Sequence, residues 1–282
     1  MRTVLEVLHL STDYLKQKGI QNSRRQAEEL LGEVLGIGRM QLYLDFERPL
    51  SDQELERCRE WLKRRGQGEP LSYIRGSVEF LGCCIKINRD VLIPRQETEI
   101  LVSKVVEELS KRDLENKVLW DICCGSGCIG IALKKHFPKL QVSLSDISPA
   151  ALAVAKENAE ANSVNVECLH GDLLEPFKGR LADYIISNPP YVAEEEIATL
   201  EIEVRDYEPK IALSGGVSGL DFYRRLSKDL PKALKQGGMA WLEIGDGQGT
   251  ALLEMFRDSP WKSAKVERDW SGRERFFSLE IE

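Results

Sequence analysis

Val118-Leu119-Trp120-Asp121-Ile122-Cys123-Cys124-Gly125-Ser126-Gly127 decides how this chain folds. Residues 118–120 form a short apolar run that reads as a strand, and residues 129–136 repeat apolar positions at helical spacing. Between them Gly125 and Gly127 lack a Cβ, so the backbone can turn tightly and let a ligand approach. The same unit recurs outward from this stretch. Residues 142–144, 166–169, 184–186, 239–242 and 276–279 read as strands, and 149–161, 220–234 and 248–256 as helices. Such alternation predicts an α/β fold, a mostly parallel sheet covered by helices on both faces. Ligands in sheets of this kind bind beyond the carboxyl ends of the strands.

Polar residues stand where those ends are expected. Asp121 closes the first strand, Asp146 the second and Asp172 the third. A carboxylate at Asp146 can accept hydrogen bonds from ribose hydroxyls, and Asp172 can reach an adenine, so the three outline one nucleoside. Gly125-Ser126-Gly127-Cys128-Ile129-Gly130 also matches the G-x-G-x-x-G of dinucleotide sites. Two features favour a methyl donor over a nicotinamide: Asp121 just before the loop, and Asn188-Pro189-Pro190-Tyr191 after the fourth strand. Asn188 precedes a proline, which drives its backbone toward extended conformations. Pro189 and Pro190 fix their own φ and donate no backbone hydrogen bond, leaving carbonyls on a stiff track beside the Tyr191 ring. That track suits a pocket for one planar nitrogen.

The first 70 residues read as helices. Val4, Leu5, Leu8 and Leu15 form one apolar stripe, and Ala27, Leu30, Leu31, Val34 and Leu35 another. Ser23 is the expected cap of the second helix, and Ser51 with Glu54 a capping box for a third that runs to Arg65. Residues 79–87 and 91–93 are expected to pair as a hairpin. The resulting division is a helical domain over 1–75, a hairpin linker over 76–94 and an α/β domain over 95–282.

Composition narrows the functions. With 282 residues and a net charge of −7, the chain has room for two domains and little means of broad nucleic-acid binding. Lys63-Arg64-Arg65 is the best local basic patch, and a solvated helix end is its plainer reading. Seven cysteines, an odd number without a secretory leader, fit reduced thiols in the cytoplasm. No cysteine and histidine cluster completes four zinc ligands, so no metal is expected. Three histidines leave little for a histidine-based triad. No apolar run has the length of a membrane span, so no membrane partner is expected.

At this level of detail the chain resembles the glutamine N(5)-methyltransferases that modify peptide-chain release factors. The resemblance runs through Gly68-Glu69-Pro70-Leu71-Ser72-Tyr73-Ile74, Val91-Leu92-Ile93-Pro94-Arg95-Gln96-Glu97-Thr98-Glu99, the glycine loop and Asn188 to Tyr191. It continues through Asp206-Tyr207-Glu208-Pro209 and Leu213-Ser214-Gly215-Gly216. It implies a seven-stranded Rossmann-like S-adenosylmethionine-dependent fold with a helical substrate-recognition domain. It further implies S-adenosyl-L-methionine as cofactor and, as partner, a class 1 release factor with its Gly-Gly-Gln glutamine, with no nucleic-acid substrate. Carried over, the cofactor residues are Asp121, Cys123, Cys124, Gly125, Ser126, Gly127, Asp146, Asp172, Leu173 and Asn188. Asn188, Pro189 and Tyr191 are the expected catalytic residues, and Pro190, Arg95 and Thr98 join these three on the substrate. Family members commonly carry Gly at the position of Cys123 and Pro at that of Gln96; Cys123 is expected to keep the turn with a negative φ. A sister group that methylates a ribosomal-protein glutamine shares the cysteine-rich loop, and Glu97-Thr98-Glu99 favours release factors. Adenine methyltransferases acting on DNA or RNA share Asn-Pro-Pro-Tyr.

Overall fold

Apolar residues three and four apart in the first part of the chain do wind into helices. In the computed structural model, which describes residues 2–258 and 260–282, these are Val4–Gln17, Ser23–Leu35, Arg39–Leu44, Asp52–Gly66 and Leu71–Arg75. Together with Ile202–Tyr207 they form one of two compact units, around Leu8, Leu15, Leu30, Leu31 and Trp61. The capping box at Ser51 and Glu54 forms as expected: Ser51 N donates to Glu54 Oε2 at 2.8 Å and Glu54 N to Ser51 Oγ at 3.3 Å. Ser23 is not a cap. Asn22 takes that position in the left-handed region, and the Ser23 hydroxyl instead donates back to the Ile20 carbonyl. Nor does Arg65 belong to a solvated basic end. It is 1% exposed and donates to Gln26, the Glu69 carbonyl and Glu203, while Arg64 pairs with the Glu69 carboxylate.

The second unit comprises Ser77–Glu201 and Glu208–Glu282. It opens with a two-stranded hairpin, β1 (Ser77–Phe80) and β2 (Cys83–Lys86). The expected pairing of 79–87 with 91–93 is wrong. Leu81-Gly82, both at positive φ, make a tighter turn inside the first segment. Among the described residues a seven-stranded sheet follows: β3 (Val118–Ile122), β4 (Gln141–Asp146), β5 (Glu167–His170), β6 (Ala182–Ser187), β7 (Leu234–Glu243), β8 (Trp261–Arg268) and β9 (Glu274–Ile281). Their order across the sheet is β5-β4-β3-β6-β7-β9-β8. The first five run parallel, and β9 turns antiparallel against β7 and β8. Sequence periodicity missed β8 because its burial is shallow and uneven along its length.

All six residues of β6 are buried, as a parallel strand covered on both faces requires. Trp120 stacks on Phe177, ring centroids 4.1 Å apart, within the cluster that includes Tyr223, Leu242 and Phe277. The chain starts at β3, works outward to β5, then returns to place β6 on the other side of β3. Strand order therefore reverses between β3 and β6, and a crevice at their carboxyl ends is the expected ligand site.

Candidate active site

The glycine loop leaves β3 at that crevice and Asn188-Pro189-Pro190-Tyr191 leaves β6 beside it; the Ser187 hydroxyl donates to the Ile122 carbonyl at 2.7 Å between them. A cleft of about 1060 Å³, counting the space open to solvent at its mouth, opens there. Its wall includes Cys123, Gly125, Ser126, Asp146, Asn188 and Pro190. One cavity thus holds both motifs.

The loop is built from backbone constraints. Gly127 sits at φ +78°, and a Cβ there would approach Ile131, Ala155 and Leu144 at about 3 Å. At Gly130 a Cβ would lie 2.3 Å from Leu144 Cδ2, so the helix Cys128–His136 packs on β4 only because that position is bare. Cys123 does not keep a negative φ. It stands at +56°, a left-handed position where a glycine is unstrained. Asp121 lies beneath the loop and is no part of the cavity wall. Fully buried, it accepts from Gly130 N at 2.8 Å through Oδ2, while Oδ1 has no hydrogen-bond partner. Burial raises this carboxyl to about 7, against the Gly130 N–H, which favours the anion.

Asp146 ends β4 at the cavity and accepts from Gly125 N at 2.8 Å and Ser148 N at 2.9 Å. Burial moves it upward as well. A carboxylate has roughly four acceptor sites, so two backbone donors leave capacity for ribose hydroxyls. Gly125 has open space where a Cβ would stand. Asp172 lies two residues past β5 and is paired with Arg225 at 2.7 Å; both line the cavity, with Phe222 and Leu173, the latter at φ +50°. Bare backbone, a strand-end carboxylate and an apolar wall fit an adenosine-bearing group.

On the other side Asn188 and Pro190 reach the cavity, and Pro189 and Tyr191 are not in its wall. Asn188 Nδ2 donates to Thr98 Oγ1 at 3.3 Å, and Thr98 Oγ1 donates to Glu243 Oε2 at 2.6 Å. The Tyr191 hydroxyl donates to Glu243 Oε1 at 3.3 Å, and burial raises its pKa. Arg95 is turned to Glu208, which also accepts from Ile93 N at 3.2 Å, and Arg95 does not line the cavity. Glycines explain the 213–219 segment: a Cβ on Gly215 would meet Pro190 O at 2.8 Å, and one on Gly219 would meet Tyr191 O at 2.4 Å. Gln248 Nε2 donates to the Tyr191 and Gly219 carbonyls at 3.0 and 3.2 Å, tying the two segments together.

Sequence reading missed Glu243, Gln248, Arg225 and Asn158. Asn158 is fully buried; its Nδ2 donates to the Ser126 and Lys86 carbonyls, and its Oδ1 accepts from Lys86 N. It joins the glycine loop to the hairpin. The one available signal was a polar residue within an apolar helical face.

Residues 6–76 match the family model described as the PrmC N-terminal domain, and residues 96–204 the one described as the Methyltransferase small domain. The release factor glutamine methyltransferase of Chlamydia trachomatis serovar D is 42% identical, over 98% of this chain and 93% of its own. That of Geobacter sulfurreducens is 40% identical, over 97% and 95%. Among solved structures a methyltransferase from Pyrococcus furiosus aligns with a TM-score of 0.51 at 17% identity, over 71% of this chain and 89% of that one. The sheet and its helices are the S-adenosylmethionine-dependent methyltransferase fold.

Proposed function

The chain belongs to the release factor glutamine methyltransferase family, and on that premise we propose that it methylates the side-chain amide nitrogen of the glutamine in the Gly-Gly-Gln motif of class 1 release factors. The donor is S-adenosyl-L-methionine, and the reaction takes place in the cytoplasm. The observation that carries this reading is the single cavity that joins the glycine loop and Asp146 to Asn188 and Pro190.

A carboxamide nitrogen is planar and weakly nucleophilic, because its lone pair is delocalised. S-adenosylmethionine, when bound, supplies a methyl group already activated on a sulfonium. Gly125, Ser126, Asp146 and Leu173 hold its adenosyl part, with Asp172 at the adenine end. Asn188 Oδ1 and the Pro189 carbonyl accept the two N–H bonds of the glutamine amide and favour the positive charge that develops there. Pro190 stiffens that track at the cavity wall, and Tyr191, held by Glu243 behind the wall, anchors it. Alignment of this kind can be worth roughly 7–11 kcal/mol. No side-chain base is needed before transfer, since the product loses its proton afterward. Arg95, through Glu208, holds the segment that leads into Thr98. The helical unit serves substrate recognition.

Incubation with methyl-labelled S-adenosylmethionine and a purified class 1 release factor, a ribosomal protein or DNA tests the reading. Label is expected in the release factor and absent when its Gly-Gly-Gln glutamine is replaced by alanine. Label in the ribosomal protein or in adenine alone would overturn it.

A further inference from the structure

Thr98 has one hydroxyl hydrogen and two neighbours that determine its use. Its Oγ1 lies 2.6 Å from Glu243 Oε2 and 3.3 Å from Asn188 Nδ2. The three residues come from separate elements: the first turn of the helix Gln96–Leu109, the carboxyl end of β7, and the loop after β6. Thr98 is 2% exposed and Glu243 1%. The other Glu243 oxygen takes the Tyr191 hydroxyl, and the Tyr223 hydroxyl donates to its backbone carbonyl at 2.7 Å.

An ionised carboxylate only accepts. With Glu243 charged, the Thr98 hydrogen goes to it, and Thr98 offers Asn188 nothing but lone pairs. The NH2 end of the Asn188 carboxamide must then face Thr98, with Oδ1 directed elsewhere. The reverse orientation would set Oδ1 against a hydroxyl whose hydrogen is already committed, two acceptors with no proton between them.

We propose that Glu243, acting through Thr98, is a positioning residue that fixes the sense of the Asn188 carboxamide, so that its oxygen is the atom offered to the methyl acceptor. This rests on the reading above, in which that oxygen receives an N–H of the glutamine amide. Its charge state matters, because a protonated Glu243 can donate to Thr98 and release the Thr98 hydrogen toward Asn188. Burial raises the Glu243 carboxyl to about 7, against hydrogen bonds from Thr98 and Tyr191 that favour the anion. The titratable and charged groups around it are Glu97 on the Thr98 helix, Tyr191 after β6 and Arg275 on β9. Tyr223 on Asp221–Ala233 and Cys128 on Cys128–His136 also interact with it.

The test measures kcat, KM for a purified class 1 release factor and S-adenosylmethionine affinity in the full chain and in Thr98→Val, Thr98→Ser and Glu243→Gln. Thr98→Val is expected to lower kcat about 10- to 100-fold, with KM and donor affinity within about threefold of wild type. Thr98→Ser, which keeps the hydroxyl, restores kcat to within about threefold. Wild-type kcat falls as pH drops from about 8 to about 6, and Glu243→Gln, with no proton to gain, loses that acid limb. Wild-type turnover in Thr98→Val, a Thr98→Ser variant as slow as Thr98→Val, or an acid limb that survives in Glu243→Gln would overturn the proposal. Should Thr98→Val not fold, Thr98→Ser and the Glu243→Gln profile decide. A wild-type chain that transfers no methyl to the release factor would instead overturn the underlying functional reading.

Discussion

Asn188 concentrates the proposed chemistry in one side chain, since its oxygen and the next carbonyl are the acceptors for both amide hydrogens. Asn188→Ala leaves one substrate N–H unpaired in a closed site, at a cost of about 1–3 kcal/mol, or roughly 10- to 100-fold in turnover. Steady-state kinetics should show the loss in kcat, while calorimetric S-adenosylmethionine affinity changes less. Turnover near wild type would remove Asn188 from the role. Cys123 raises a different residue-scale question, because a side chain at φ +56° carries left-handed strain of about 1–2 kcal/mol. Cys123→Gly relieves that strain and loses the side chain's contacts, so urea midpoints should place it within about 1 kcal/mol of wild type. Cys123→Val, with a β-branched residue in the same conformation, should lose at least about 2 kcal/mol. Cysteine itself does not mark this φ; the glycine that family members commonly carry at the position was the signal for it.

At the scale of elements, bare glycines set how closely strands, helices and loops approach. Gly130→Ala would push the helix Cys128–His136 off β4, and overpacking of this kind costs about 1–3 kcal/mol. Thermal unfolding should register a fall in Tm, and an unchanged Tm would show that Leu144 can move aside. Gly219→Ala adds a Cβ at φ +71° that would meet the Tyr191 carbonyl. Its effect should appear in turnover on release factor more than in Tm, because the displaced segment carries Asn188 to Tyr191. Equal losses in both would mean that this loop serves stability alone. The glycine loop and the proline pair were legible because their geometry is written in residue types. The hairpin register and β8 were not: a two-residue turn at Leu81-Gly82 and a shallowly buried strand leave weak local patterns.

For the whole molecule, two buried carboxyls give stability an unusual pH dependence. Burial holds Asp121 and Glu243 at about 7, above their ordinary values of 3.8 and 4.5. Between those ordinary values and about 7 the folded chain binds more protons than the unfolded one. Stability therefore falls as pH rises through that window, by up to about 1.4 kcal/mol per pH unit for each group. Asp183 acts in the opposite sense: despite burial, hydrogen bonds from Lys235 and Lys117 hold it below its ordinary value, so its contribution is lost only at lower pH. Urea midpoints should be higher at pH 5 than at pH 8, and Asp121→Asn should flatten the difference; a midpoint that rises with pH would contradict the burial argument. By itself the sequence determined the alternating sheet, the glycine loop, the strand-end Asp146 and the rigid Asn188-to-Tyr191 track, since these depend on neighbours along the chain. Only the tertiary structure decided that Glu243 stands behind Thr98, 145 residues away, and that Asn158 binds Lys86 across 72. Long-range partners leave no local pattern, because a buried polar side chain acquires its partner only when distant strands close the sheet.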